Sequence, residues 1–344
     1  MNQSPSASPE FSAETLPEFS AKTSPEVAIQ KRPKLAIILP CYNEEAIIEQ
    51  SWNVITQKLQ ELVFKKKIAA DSFLCFVDDG SSDNTLSFLM RLKTKAPQHK
   101  IVKLAKNYGH QSALLAGLYF VKNQCDCAVT MDCDLQDDIN AIDEMLVRFD
   151  DGCEVVCGVR KARKTDTTFK KSTALAFYKL MHAMNVKILY NHADYRLLSA
   201  RAIAALLEFS EVNLFLRGIV PLLGFKNAVV YYERLARSAG RSKYPFSKML
   251  AFALNGITSF SVVPLRLLTF FGVLLFFFCF CYGAYALYVK LFTNDALSGW
   301  TSTVLIVLFL GGTQFLGLGI MGEYIGKIYA EVKRRPRYFI DQVF

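Results

Sequence analysis

Between residues 129 and 138 an apolar run gives way to oxygen ligands at every second position: Val129-Thr-Met-Asp132-Cys-Asp134-Leu-Gln136-Asp137-Asp138. If Ala128 to Met131 is a buried strand, its side chains alternate, and Asp132, Asp134 and Gln136 leave its end on one side. Two carboxylates and an amide oxygen suit a hard divalent cation such as Mg2+ or Mn2+, which takes one or two carboxylates and completes its shell with water and substrate phosphate. Taken alone, the same residues also fit an acidic cap on the following helix.

The elements that must position this group alternate along the chain. From Lys34 the sequence runs LAIIL, then a Pro-Cys-Tyr-Asn-Glu turn, then a helical pattern from Glu44 to about Val63. A second apolar run, Ser72 to Val77, enters Asp78-Asp79-Gly80-Ser81-Ser82-Asp83, with Asp83 placed to cap the next helix. Ile101 to Leu104 reads as a third strand, followed by Lys106-Asn-Tyr-Gly109-His-Gln and a helix over Ala113 to Val121. Glu154 to Gly158 reads as a later strand. Strands alternating with helices predict an α/β fold with a mostly parallel sheet covered on both faces. Such sheets bind ligands beyond the carboxyl ends of their strands, so Asp78, Asp79, Lys106, Asp132 and Asp134 are expected in one crevice.

The cations divide into two sets. Lys161, Lys164, Lys170 and Lys171 read as a solvated face, whereas Arg217, Arg234 and Arg237 stand among apolar and small residues, where a phosphate partner fits. The balance of 40 Lys and Arg against 31 Asp and Glu gives a formal charge of +9. These cations form no continuous stripe, which argues against nucleic acid as the partner. The nine Cys lie mostly in apolar runs without paired zinc spacing, so reduced, buried thiols and a reducing compartment are expected.

Hydrophobic residues make up 52% of the 344, with 27 Phe, and the excess is concentrated towards the C-terminus. No charge occurs from Leu267 to Val289 or from Trp300 to Gly322, and ~20 such residues suffice to span a bilayer as a helix. The connection Leu291 to Gly299 carries no Lys or Arg. Arg241, Lys243, Lys248 and Arg266 precede the spans, and Lys327, Lys333, Arg334, Arg335 and Arg337 follow them. The positive-inside rule therefore predicts a multi-pass protein of the inner membrane, with the Asp-rich domain in the cytosol. Gly312, Gly319 and Gly326 fall on one helical stripe, suited to packing on the first span or on a second copy in a homo-oligomer. The expected divisions are a disordered Ser, Pro and Glu-rich tail over 1–33, a catalytic domain over 34–245, an interfacial amphipathic segment over 246–262, spans over 263–290 and 300–325, and a basic cytoplasmic tail over 326–344.

Five segments together carry a resemblance: LPCYNE at Leu39 to Glu44, FVDDGSSDNT at Phe76 to Thr85, Lys106-Asn-x-Gly109-His-Gln-x-Ala, MDCDLQD at Met131 to Asp137, and AGRSKYP at Ala239 to Pro245. In this order the chain resembles the inverting family 2 glycosyltransferases of GT-A fold. With its two spans it resembles their polyprenyl-phosphate branch, the bactoprenol glucosyltransferases and dolichol-phosphate mannose synthases. The pattern departs at Asp138-Ile139-Asn140, where that family often has Pro-Pro-Glu.

The resemblance implies a nucleotide-sugar donor, UDP-glucose favoured, and a polyprenyl phosphate acceptor, undecaprenyl phosphate, held at the bilayer. Pro40, Tyr42, Glu44, Asp78 and Asp79 would hold the nucleoside, with Lys106 and Gly109 lining the same pocket. Asp132, Asp134 and Gln136 would hold Mg2+ or Mn2+ and the diphosphate. Arg234 or Arg237, with Ser242 and Lys243, would meet donor phosphate, and Arg160, Arg196 and Arg217 the lipid phosphate. Asp132, Asp134 and Asp194 are the expected catalytic carboxylates. The sugar stays open among glucose, mannose, N-acetylhexosamines and aminopentoses, and a non-catalytic nucleotide-sugar-binding membrane protein is the reading from another class.

Overall fold

A computed structural model of the chain describes residues 32–161, 192–211, 216–234, 258, 261–292 and 299–344. The Asp-rich domain is built on one eight-stranded sheet of order β7-β5-β6-β4-β1-β2-β3-β8. Its parallel centre comprises β1 (Leu35–Cys41), β2 (Phe73–Asp78), β3 (Lys100–Leu104) and β4 (Cys127–Thr130), with β1 between β2 and β4. Every residue of β1 is buried, as a continuous apolar run covered on both faces must be.

Helices α1 (Ile48–Phe64), α2 (Thr85–Lys93) and α4 (Ala141–Asp150) contribute to one hydrophobic cluster, in which Trp52 stacks on Phe76 with ring centroids 4.9 Å apart. Helices α3 (His110–Val121) and α5 (Ala200–Glu208) supply much of the other. Burying both faces fixes the strand register, and with it the level at which β1, β2, β3 and β4 release their loops.

Several elements differ from the sequence reading. The helix expected from Ala113 begins at His110, because Gly109 takes a φ of 88° and turns the chain into the helix one turn earlier. Asp83 precedes the cap position of α2, which Asn84 occupies, yet its carboxylate still accepts the Thr85 amide at 3.0 Å. Strand β4 ends at Thr130, and Leu135 has a φ of 53°, so strand alternation does not carry Asp132, Asp134 and Gln136 to one side. A turn through Leu135 carries them instead.

Strand β5 (Val155–Arg160) matches an expected run, whereas β6 (His192–Ser199) has no counterpart in the sequence reading. Strand β6 runs antiparallel between β4 and β5 and places Asp194 and Arg196 beside Thr130. Strand β7 (Asn227–Tyr232) pairs in parallel with β5, and a short helix, α6 (Leu216–Ile219), precedes it.

Two long helices follow, α7 (Val263–Phe292) and α8 (Trp300–Val332). Among the described residues one stretch, Val263–Tyr285 with mean hydropathy 2.2, is long and apolar enough to cross a membrane. Gly317 faces Leu268, where a Cβ would lie 3.2 Å from a side-chain methyl. Gly312, Gly319 and Gly326 have open space at that position, so the predicted stripe does not pack on the first long helix. The C-terminus is more than a basic tail: α8 continues to Val332, and β8 (Ile340–Val343) pairs antiparallel with β3.

Candidate active site

The first wall of the crevice is made by the loops after β1 and β2, zipped together by polar side chains. Asn43 and Glu44 donate their amides to Ser81 Oγ at 3.1 Å and Thr85 Oγ1 at 2.9 Å. In return Asn43 Oδ1 accepts the Ser82 amide at 2.9 Å, and the Asp79 amide donates to the Cys41 carbonyl at 2.9 Å. Asn43 adopts a φ of 53°, a conformation that Asn tolerates better than most residues. Tyr42 stands exposed at the mouth, and Pro40 lies within β1.

Asp78 and Asp79 are adjacent but differently used. Asp79 accepts the Tyr108 amide at 2.7 Å and the Gly109 amide at 2.9 Å, one on each oxygen, and so holds the Lys106 to Gly109 loop against the end of β2. Asp78 is only 1% exposed, its Oδ1 accepts the Ser81 amide at 3.4 Å, and its Oδ2 has no hydrogen-bond partner. Burial raises the Asp78 carboxyl above its ordinary range. Gly80 permits this arrangement: its φ is 67°, and a Cβ there would lie 2.5 Å from the Lys106 carbonyl carbon. The Lys106 ammonium stands 5.3 Å from the Tyr108 ring centre.

The floor is the turn after β4. Asp134 Oδ1 accepts the Gln136 amide at 3.2 Å, closing the turn through Leu135. Ser51 Oγ donates to the Cys133 carbonyl at 2.5 Å from below. Asp132 is partly exposed to the crevice, and His110 Nε2 lies 3.4 Å from its Oδ1 and 3.9 Å from Asp194 Oδ2. Burial raises the Asp132 carboxyl; His110 opposes this, while Asp137, Asp194 and Asp134 add to it.

The far wall is cationic. Asp194 accepts Arg196 Nη2 at 2.5 Å and Arg217 Nη2 at 3.1 Å on its two oxygens. Burial opposes its charge, but Arg217 and Arg196 outweigh it and hold the carboxyl well below the usual range. Arg196 is 2% exposed and also donates to the Leu216 carbonyl at 3.4 Å, so its geometry holds Asp194 and α6 rather than reaching the mouth. Arg217 is less buried, and its Nε has no hydrogen-bond partner.

A second network supports the floor. Buried Asp137 accepts the Tyr232 hydroxyl at 2.6 Å and Arg160 Nη2 at 3.3 Å, and Arg160 Nε donates to that hydroxyl at 3.1 Å. Arg234 Nη2 donates to Gln136 Oε1. Arg160 therefore enters this network rather than the Asp194 wall. The structure brings together Asp78, Asp79, Lys106, Gly109, Asp132, Asp134, Asp194 and Arg217 around the strand ends. Arg237, Ser242 and Lys243 lie outside the described residues.

Sequence reasoning missed His110, Asp137 and Tyr232 as members of the site. His110 was legible as the residue directly after Gly109 beyond a strand end. Tyr232 had no local signal, since only the β5–β7 pairing carries it to Asp137.

A family model described as Glycosyl transferase family 2 matches residues 36–207. The chain is 49% identical over 305 residues to the uncharacterized glycosyltransferase YkoT of Bacillus subtilis (strain 168), covering 89% of this chain and 90% of that one. It is 35% identical over 309 residues to the prophage bactoprenol glucosyl transferase homolog of Escherichia coli (strain K12), covering 90% and 98%. A third relative, the SfII prophage-derived bactoprenol glucosyl transferase of Shigella flexneri, is 37% identical over 308 residues, covering 89% and 97%. The chain belongs to glycosyl transferase family 2, and it is a glycosyltransferase.

The donor set bears on the divalent cation that the resemblance implies. Among the described residues no three His, Cys, Asp or Glu side chains converge as a cage. Gln136 offers its amide oxygen to Arg234, and the Asp132 and Asp134 carboxylates are the other hard oxygens of this turn. Two carboxylates at an open crevice fit Mg2+ or Mn2+ in the mode completed by water and substrate phosphate, not an all-protein site.

Proposed function

We propose that this chain transfers a sugar, glucose favoured, from a nucleotide sugar, UDP-glucose favoured, to polyprenyl phosphate at the cytoplasmic membrane face, with inversion at the anomeric carbon. The observation that carries the reading is the apposition of Asp132, which His110 bridges to Asp194, with the cationic wall of Arg196 and Arg217. An acidic floor suits a metal-bound diphosphate, and a cationic wall suits a second phosphate brought towards it. The names of the E. coli and Shigella relatives support glucose and bactoprenol as the substrates.

In this reading the buried Asp78 Oδ2 accepts a hydrogen bond from the nucleoside, with Tyr42, Glu44, Lys106 and Gly109 around it. Asp132 orients the donor sugar, and Asp134 with Asp132 would hold the divalent cation. When bound, that ion neutralises charge building on the leaving diphosphate. Arg217, fixed by Asp194, turns its Nε–H to the acceptor phosphate. An oxygen of that phosphate attacks C1, the bond from C1 to the diphosphate oxygen breaks, and the nucleoside diphosphate leaves. The phosphate is ionised at neutral pH, so no proton has to be removed, and the chain needs cations more than a base.

The membrane arrangement belongs to the same proposal. Both α7 and α8, of 30 and 33 residues, exceed the ~20 residues a bilayer requires, and we read them as two spans joined on the outer side. The segment over 246–262 would lie at the interface, although only Thr258, Ser261 and Val262 of it are described. Lipid-linked phosphate then reaches the crevice without leaving the bilayer, and Gly312, Gly319 and Gly326 remain open for a second copy.

The test is transfer from a panel of labelled UDP and GDP sugars to undecaprenyl phosphate in detergent with Mg2+ or Mn2+, comparing the parent with Asp134→Ala. Labelled lipid from one donor, abolished by EDTA and in the variant, is the expected result. Donor binding without lipid product from any sugar overturns the lipid acceptor.

A further inference from the structure

We propose that the C-terminal strand β8 is a positioning element of the donor pocket, holding the Lys106 to Gly109 loop in its binding shape and tying that loop to α8. The proposal rests on the donor reading of that loop. Without β8, β3 would be the edge strand, its outer amides and carbonyls open. Instead Ile101 and Phe344 exchange both main-chain hydrogen bonds, at 3.1 and 2.8 Å, and Val102 and Lys103 face Val343 and Gln342.

The pairing does not stop where the strand does. The Ala105 amide donates to the Phe339 carbonyl at 3.0 Å, and the next residue is Lys106. The loop is thus gripped at both ends: by Phe339 where it leaves β3, and by the Asp79 carboxylate at Tyr108 and Gly109. Gly80 packs its backbone against Lys106 between those grips.

A register shift and an ion pair fix this pairing. The ladder shifts between Lys103 and Leu104, so that Asp341 falls between the paired residues Ile340 and Gln342. Such a bulge re-aims the residues beyond it. Asp341 also closes an ion pair with Lys103 at 2.5 Å. Tyr338 and Ile340 pack on the cluster that α3 and α5 share, and Phe344 packs on the opposite one, so the tail wedges into both faces of the sheet.

The same segment reaches the other wall. Arg337 donates to the Phe209 carbonyl at the end of α5, which follows β6 and its Asp194. Only residues 333–339 separate α8 from β8, a tether of at most about 25 Å when fully extended. Displacing α8 therefore pulls on the donor loop and on the element behind the cationic wall.

The test compares the full chain with a chain ending at Arg335, in the same detergent, with and without a peptide of residues 336–344. Two readouts are taken: KM for the nucleotide sugar, and amide hydrogen exchange over residues 105–109. The expected result is a KM at least tenfold higher, a smaller change in kcat, and at least tenfold faster exchange, all reversed by the peptide and not by its scrambled form. A folded truncated protein with parental KM and parental exchange overturns the proposal. Should the truncated chain not fold, full-length Gln342→Pro, which removes one ladder amide, is read in the same way. If the full chain transfers no sugar, the donor reading fails, while the exchange measurement still decides whether β8 holds the loop.

Discussion

His110 Nε2 lies 3.4 Å from Asp132 Oδ1 and 3.9 Å from Asp194 Oδ2, so one imidazole at the start of α3 links the acidic floor of the crevice to its cationic wall. The link crosses from β3's loop to β4's turn and to β6, three segments far apart in sequence.

Removing that link disorders Asp132 more than it harms the fold, because His110 is on the crevice surface and supports no core packing. His110→Ala is expected to lower kcat by roughly 30-fold, which corresponds to about 2 kcal/mol. His110→Gln, which keeps an N–H donor, should recover part of it. Equal kcat in parent and His110→Ala, from steady-state transfer assays, would show that the bridge does not act in turnover.

Asp78 presents a case where function and stability pull apart. Its carboxylate is buried, one oxygen has no partner, and burial raises its carboxyl. The folded state therefore carries a cost at neutral pH that an uncharged side chain avoids. Asp78→Asn should raise the melting midpoint by a few degrees in ligand-free protein while weakening donor binding by tenfold or more. Calorimetric titration with UDP and a thermal melt measure the two sides, and a variant that is both less stable and equally tight-binding contradicts the assignment.

His99 gives the domain an acid limit. The side chain is 0% exposed, burial and then Lys93 lower its pKa from 6.5 to about 4, and its Nδ1 accepts the Leu74 amide of β2 at 3.2 Å. The unfolded chain takes up the proton first as pH falls, so the stability is intact above about 6.5 and is lost progressively down to about 4. The shift is worth about 3 kcal/mol as an order of magnitude. Melting midpoints between pH 8 and 4 should fall through this window, and His99→Gln should flatten that part of the curve. A parent curve with no slope there refutes the buried neutral imidazole.

Much of this site was legible in the sequence, because strand ends in a parallel sheet are marked by where apolar runs stop. LAIIL, the run into Asp78 and the run into Asp132 each end at the crevice, and their carboxylates follow directly. Charge absence over Leu267 to Val289 likewise marked a long apolar helix without any tertiary information. Such signals are local: they depend on hydrophobic burial and on the period of one element at a time.

Tertiary structure decided what those residues do. Asp78 and Asp79 are identical side chains at adjacent positions, yet one clamps a loop and the other is left with an open oxygen, because only pairing with the 106–109 loop distinguishes them. Arg160 and Arg196, indistinguishable from Arg217 as cations in the sequence, are drawn into Asp137 and Asp194 by strands β5 and β6. The role of the last five residues depends on a partner strand more than 230 positions earlier, as the 238-residue separation of Lys103 and Asp341 shows. Pairings of that range leave no periodicity in either segment, so the sequence specified the strand-end carboxylates and the long apolar helix while long-range strand order assigned each charge its partner.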